Sequence, residues 1–307
     1  IMKICLIGKN LTNYVLAKSL SNKNLKVDIF CESKKEKKLS QRTLAISKEN
    51  FDFLLKLNNG IKIPAWPVKN IKIYSDKNNL KELLEFKNEK RENFFLVKYI
   101  TILKIFEKLC KTSKSIKLKK FSYKSKSKNF ILEKNYKLII NSYKKNIFNY
   151  KKIEKNYNSI AFTGILDHKI KKKNDVAIQI FTKYGPLAFL PLSETKTSIV
   201  FSVLNNFETS EKNIFNLIKK YNFTYVIKKI NKFEKANIKF VMPRNYFHKN
   251  ILFFGDKLHT VHPLAGQGFN MTIRDISILS YLIEEKTELG LELDKSLFYD
   301  FQKKTKH

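Results

Sequence analysis

One stretch near the C-terminus narrows the possible folds more than any other, residues 251–275. Four apolar residues, Ile251, Leu252, Phe253 and Phe254, run into Gly255 and Asp256. Pro263 and a turn of Gly266, Gln267 and Gly268 follow, and an apolar helical period begins near Asn270. A short continuous apolar run bounded by turn residues is the pattern of a buried strand. The helix after it starts with unpaired N–H groups and the positive end of its dipole, which attract an anion. Glycines in the turn let the backbone come close to a bound group. The plainer alternative is a strand–loop–helix connection that holds nothing.

The N-terminus carries a second constraint. Residues 4–7 are a continuous apolar run, as in a buried parallel strand. Gly8 ends it. Tyr14, Val15, Ala17, Lys18 and Leu20 follow with a helical period, and residues 27–31 read as the next strand, closed by Glu32. An acid 24 residues after Gly8 in a β-α-β unit fits hydrogen bonding to an adenosine ribose. A solvated charge at a strand end is the other reading. The glycine loop departs from G-x-G-x-x-G: the same register holds Gly8, Lys9, Asn10, Leu11, Thr12 and Asn13. Asn tolerates positive φ better than other side chains, so Asn10 is expected to keep a left-handed turn. Asn13 stands where a glycine would permit close helix–strand packing.

The 251–275 stretch resembles the Gly-Asp, His-Pro, Gly-Gln-Gly-x-Asn motif of flavin-dependent aromatic hydroxylases, most of all the branch that hydroxylates ubiquinone precursors, the 2-polyprenylphenol hydroxylases. The run Gly185, Pro186, Leu187, Ala188, Phe189, Leu190 and Pro191 resembles a second signature of that family, and residues 40–47 resemble the segment whose arginine reaches the cofactor. The resemblance covers nearly the whole chain and is weakest between 110 and 150, where an expected Asp-Gly pair is replaced by Ser142 and Tyr143. It implies an α/β fold, with a discontinuous Rossmann-like FAD-binding domain (1–70, 92–157, 243–307) and an inserted antiparallel-sheet substrate domain (71–91, 158–242).

The resemblance also implies FAD as cofactor, with NADPH or another electron donor and O2 as co-substrates. The cofactor-binding residues it implies are Gly8, Glu32, Arg42, Asp256, Pro263, Gly266, Gln267, Gly268 and Asn270. For Arg42, a plain surface charge is the alternative. No residue is assigned as catalytic acid or base, because the cofactor carries the hard chemistry. The implied substrate is a polyprenylated phenol or quinone precursor, its ring near Pro263 and residues 187–192. Peripheral membrane contact and membership of a ubiquinone-biosynthesis complex follow as expectations. With the glycine loop degenerate, a second class stays open: a family member that binds FAD weakly or not at all and serves as a non-catalytic scaffold. The family's chains run on past the equivalent of His307, so truncation is expected.

Charge suggests a different partner and does not carry it. The formal charge is +34, yet only Arg42, Arg91, Arg244 and Arg274 are arginine among 61 basic residues. Arginine is the usual reader of phosphates and bases, and the lysines are spread along the whole chain, so no nucleic-acid partner is expected. Such a surface still suits an anionic membrane. Cys5, Cys31 and Cys110 sit in apolar runs without a C-x-x-C pattern, which points to reduced thiols and a cytoplasmic location, at or near the inner membrane face. His259 and His262 lie near Asp256, but no metal-ligand spacing is present, and His262 is expected to pack beside the flavin.

Further elements read from pattern are a helix over 48–57 capped by Ser47, a half-buried antiparallel strand over 71–74, helices over 94–109, 207–221 and 270–285, and strands over 158–167, 175–181, 198–203 and 238–242. Residues 114–137 read as a small β-meander.

Overall fold

The computed structural model describes residues 3–21, 23, 25–32, 42–77, 80–88, 91–121, 135–143, 150–207, 210–258 and 267–306. The expectations on Pro263, Gly266, His259 and His262 lie outside the described residues, as does the side chain of Gln267.

A six-stranded sheet organises the N-terminal half and the C-terminus. Its strands are β1 (Lys3–Ile7), β2 (Lys26–Glu32), β8 (Ile116–Phe121), β9 (Leu138–Asn141), β16 (Phe247–His248) and β17 (Ile251–Phe253), in the order β16-β17-β9-β1-β2-β8. All neighbours pair in parallel except β16 with β17. Both faces of β1 are buried, which is why its sequence is continuously apolar. Ile4 and Leu6 join the large core under the helices, while Cys5 and Ile7 join Ile139, Tyr136 and Ile251 on the other face.

Helix α1 (Leu11–Ser21) crosses from β1 to β2 and is buried nearly all round. It packs on α3 (Tyr99–Thr112) and on the long helix α5 (Gln267–Glu288). On α5, Ile273, Ile276, Leu279, Leu282 and Ile283 are each at most 3% exposed. Burying each such side chain contributes roughly 1.5–3 kcal/mol. Helix α6 (Lys295–Thr305) closes the chain behind α5, with Asp294 as its cap.

The second body is an eight-stranded sheet. It contains β5 (Asn70–Ser75), β6 (Lys81–Lys87), β10 (Lys152–His168), β11 (Val176–Thr182), β12 (Gly185–Pro191), β13 (Lys196–Leu204), β14 (Ile227–Ile230) and β15 (Glu234–Pro243). Strand β5 is antiparallel to β6, as its alternation suggested, but parallel to β11. Helix α4 (Glu211–Tyr221) lays Ile214, Ile218 and Tyr221 onto this sheet. It starts at 211, not 207, because Ser210 caps it by accepting from the Asn213 N–H.

A three-stranded sheet joins the two bodies: β3 (Thr43–Ser47), β7 (Phe94–Lys98) and β4 (Trp66–Val68), in the order β3-β7-β4. Residues 94–98 were expected to begin a helix. They pair instead with both β3 and β4, and α3 starts only at Tyr99. Ala45, Val68 and Leu96 from this sheet pack against Ala177, Ala188 and Leu190 of the large one. Helix α2 (Lys48–Leu57) follows β3 directly, and Ser47 caps it by accepting from the Asn50 N–H.

Among the described residues, β8 is the one strand in the expected meander region. No helix among them is long and apolar enough to cross a membrane. Cys5 and Cys110 are buried and Cys31 is half-buried, all three free.

Candidate cofactor and active site

The strand β17 ends against the start of α1. Gly255 has φ +63, and a Cβ there would come within 3.0 Å of the Thr12 side chain. A left-handed backbone and a close neighbour together require glycine. The short turn Gly255–Lys257 then carries Asp256 outward and Lys257 inward. Burial, followed by the nearby charge of Lys152, pushes the Lys257 ammonium down to about 8.

A cavity of about 540 Å³ lies beside this turn. Arg42, Asp256, Lys257, Asn10, Ser142 and Tyr150 are among its lining. These residues come from both ends of the chain and its middle, so only folding assembles them. Arg42 is exposed, with its guanidinium carbon 5.8 Å from the Tyr99 ring centroid, and its carbonyl accepts from the Tyr99 N–H at 2.9 Å. Lys152 also lines the cavity, so its cations outnumber the single carboxylate of Asp256 among the described lining residues. Such a cavity favours an anionic group.

The start of α5 is tied down, and its Phe269 lines the cavity. Asn270 Oδ1 accepts from the Ser47 N–H at 3.0 Å and from Asn50 Nδ2 at 2.9 Å, and Asn270 Nδ2 donates to the Ala45 carbonyl at 2.8 Å. Asn270 therefore locks the first turn of α5 onto β3 and α2. The Gly268 carbonyl accepts from the Thr272 hydroxyl at 3.1 Å.

The glycine loop is built differently from the expectation. Among the described residues neither Asn10 nor Asn13 has positive φ. Asn10 is instead the helix cap: its Oδ1 accepts from the Asn13 N–H at 3.0 Å. Its Nδ2 donates to Ser142 Oγ at 2.9 Å and to the Ser142 carbonyl at 3.2 Å. Asn13 is fully buried, and its Nδ2 donates to the Gly8 carbonyl at 2.8 Å. Gly8 has φ +122, and a Cβ there would meet the Tyr143 backbone at 3.2 Å. The Tyr143 hydroxyl donates to Glu32.

Strand β12 does not line the cavity. Leu187 and Phe189 pack into the core under α4, and Ala188 and Leu190 pack against the three-stranded sheet. Residues 187–190 are thus covered by protein on both faces, and the residues expected opposite them, around Pro263, lie outside the described residues. Lys257 and Tyr150 were not foreseen. A lysine directly after a buried strand and a Gly-Asp turn is the signal that could have found Lys257. Tyr150 has no such signal.

No family model matches the chain. It is similar to ubiquinone biosynthesis monooxygenase COQ6 of Danio rerio, 24% identical over 178 residues, covering 45% of this chain and 37% of that protein. It is also similar to 3-demethoxyubiquinol 3-hydroxylase of Escherichia coli, 29% identical over 118 residues, covering 34% of this chain and 28% of that protein. The matched stretches thus span less than half the length of these relatives. Among solved structures, the probable FAD-dependent monooxygenase PqsL of Pseudomonas aeruginosa superposes with a TM-score of 0.76 at 12% identity, covering 99% of this chain and 91% of that one. 2-Methyl-3-hydroxypyridine-5-carboxylic acid oxygenase superposes with a TM-score of 0.75 at 8% identity, covering 99% and 87%. By sequence part of the chain is similar to these two ubiquinone-pathway enzymes, and its fold is the one that PqsL and the pyridine-carboxylic acid oxygenase share.

Proposed function

We propose that this chain belongs to an FAD-dependent monooxygenase that hydroxylates the aromatic ring of a polyprenylated ubiquinone precursor. One observation carries the reading. Arg42 and Asp256, which the sequence resemblance singled out independently, meet at one cation-rich cavity in a fold shared with FAD-dependent monooxygenases. Arg42 and Lys257 suit the anionic pyrophosphate, and Asp256 suits the ribityl hydroxyls. Gly8, Glu32, Pro263, Gly266, Gln267, Gly268 and Asn270 complete the proposed cofactor set. Asn270 acts there by fixing α5, and Gly268 by allowing close approach. The proposed FAD-binding unit is 1–70, 92–157 and 243–307, with 71–91 and 158–242 facing the substrate.

Bound flavin supplies the oxygen-transfer chemistry, with O2 and an electron donor such as NADPH. The protein's part is to orient the ring and exclude water. The deciding measurement is the colour and chromatographic identity of heat-released cofactor, paired with substrate-dependent oxygen consumption by a full-length version. A prenylated phenol should be turned over in preference to a short hydrophilic one. A colourless protein that gains no thermal stability from FAD would sink the reading.

Peripheral membrane docking, in the cytoplasm at the inner membrane face, is part of the proposal. Ile170 and Val226 are 69% and 60% exposed, and the Lys169 N–H donates to the Val226 carbonyl, so the two lie on one rim. Lys169, Lys172 and Lys173 are exposed beside them. Lysines close to an anionic surface contribute about 1 kcal/mol each. Flotation with anionic vesicles, lost in Ile170→Asp, checks it. Assembly into a ubiquinone-biosynthesis complex remains part of the same proposal. The non-catalytic scaffold reading is not favoured, since the relatives the chain resembles are a monooxygenase and a hydroxylase.

A further inference from the structure

The flavin end and the adenosine end of the proposed site are not equally fitted to FAD. On one side Arg42, Asp256 and Lys257 line the cavity, and Asn10 and Ser142 line its other side. At the other end, three side-chain contacts stand where the adenosine diphosphate portion would be held. Asn10 caps α1 with its Oδ1, taking the Asn13 N–H that the helix start would offer to an anion. The same Asn10 amide is bound to Ser142 on the neighbouring strand end. Tyr143 covers the close-approach face of Gly8 with its backbone and donates its hydroxyl to Glu32. The topology explains how one residue does both. The Ser142 N–H donates to the Ile7 carbonyl at 3.2 Å, so the chain runs alongside β1 beyond the end of β9. From there the Tyr143 side chain reaches over the end of β1 to the end of β2.

On the reading that the cavity is a flavin site, we propose that Tyr143, with Asn10, is the specificity-determining residue of the cofactor site. Tyr143 occupies the carboxylate that would bind the ribose, and Asn10 occupies the helix start that would face the pyrophosphate. The chain then holds a flavin mainly through its ribityl and phosphate portion, with little from the adenosine, and it discriminates little between FAD and FMN. A hydroxyl bound to a carboxylate is a strong competitor for that carboxylate, because charge-assisted bonds exceed neutral ones.

The experiment titrates the purified chain with riboflavin, FMN and FAD by flavin fluorescence quenching, for wild type, Tyr143→Phe, Tyr143→Ala and Asn10→Gly. Thermal unfolding of each variant reports on folding, and Tyr143→Phe keeps the ring and its packing. Wild type should bind FAD no more than about threefold tighter than FMN, and Tyr143→Phe should tighten FAD by about tenfold, which is roughly 1.4 kcal/mol. FMN affinity should stay within about twofold in Tyr143→Phe, since FMN has no adenosine ribose to compete for Glu32. Wild type that binds FAD about a hundredfold tighter than FMN, or a Tyr143→Phe variant with unchanged FAD affinity, overturns the inference and leaves the flavin reading standing. Failure of every variant to bind any flavin overturns both.

Discussion

The two ends of the proposed cofactor site match the flavin-hydroxylase motifs to different degrees. Around Gly255 and Asp256 the motif residues stand, and the fold uses them for turn geometry and for a cavity wall. Around Gly8 the motif is replaced, and the replacements answer one another. Asn10 bonds Ser142, Asn13 bonds the Gly8 carbonyl, and Tyr143 bonds Glu32. A loop that had merely lost its glycines would leave polar side chains without partners, at a cost of about 1–3 kcal/mol for each buried group. Among the described residues, Asn13 Oδ1 and Asn141 Nδ2 are such unpartnered atoms, while the other bonds of the network are made. The contrast teaches that a degenerate motif can be a rebuilt one, and that the test is whether the new side chains bond to each other.

The contrast can be broken most forcefully at Gly255. Gly255→Val should lower stability by about 3 kcal/mol, because a β-branched residue at positive φ also collides with Thr12. Urea denaturation measures it, and a loss under about 1 kcal/mol would show that α1 is not held by this turn. Next in size is Asp256→Ala. It should weaken flavin binding by roughly 1–3 kcal/mol, about five- to 150-fold in Kd, with little change in unfolding because the side chain is exposed. An unchanged Kd would move the ligand away from this wall.

Asn10→Ala probes the other end. It removes a helix cap and should cost about 1 kcal/mol of stability, whereas its flavin affinity should not fall. A large loss of flavin affinity would make Asn10 a ligand rather than a plug. The smallest expected effect is a pH dependence from Lys257. Burial holds its folded value at about 8, below the usual lysine range. The side chain is charged below that pH and neutral above it. Affinity for an anionic ligand should therefore fall as pH rises from 7 to 9, by about fivefold, the equivalent of roughly 1 kcal/mol. The sign for stability is opposite. The unfolded chain binds more protons between about 8 and the ordinary lysine value, so unfolding becomes harder as pH rises through that window. Lys257→Met should flatten both profiles.

Much of the architecture was legible because its signals are local. The run 4–7, the cap at Ser47 and the helix over 48–57 each state their structure within a few residues. Residues 94–98 were not legible, because their apolar pattern suits a helix, and pairing with two other strands decides otherwise. Arg42 and Asp256 could be nominated from motifs. Lys257 and Tyr150 could not be ranked, because their importance comes from lining a cavity whose other walls are remote in sequence.

The sequence alone determined that β1 and β2 would be adjacent strands joined by a helix, that Gly255 would end a buried strand, and that the glycine loop had changed. It could not say whether that change was decay or reconstruction. Asn10 and Ser142 are 132 positions apart, and Tyr143 and Glu32 are 111 apart. Only the parallel order β9-β1-β2 brings those strand ends side by side. Hydrogen bonding acts over about 3 Å of space and takes no account of distance along the chain, so the pairing became visible only once the sheet was assembled.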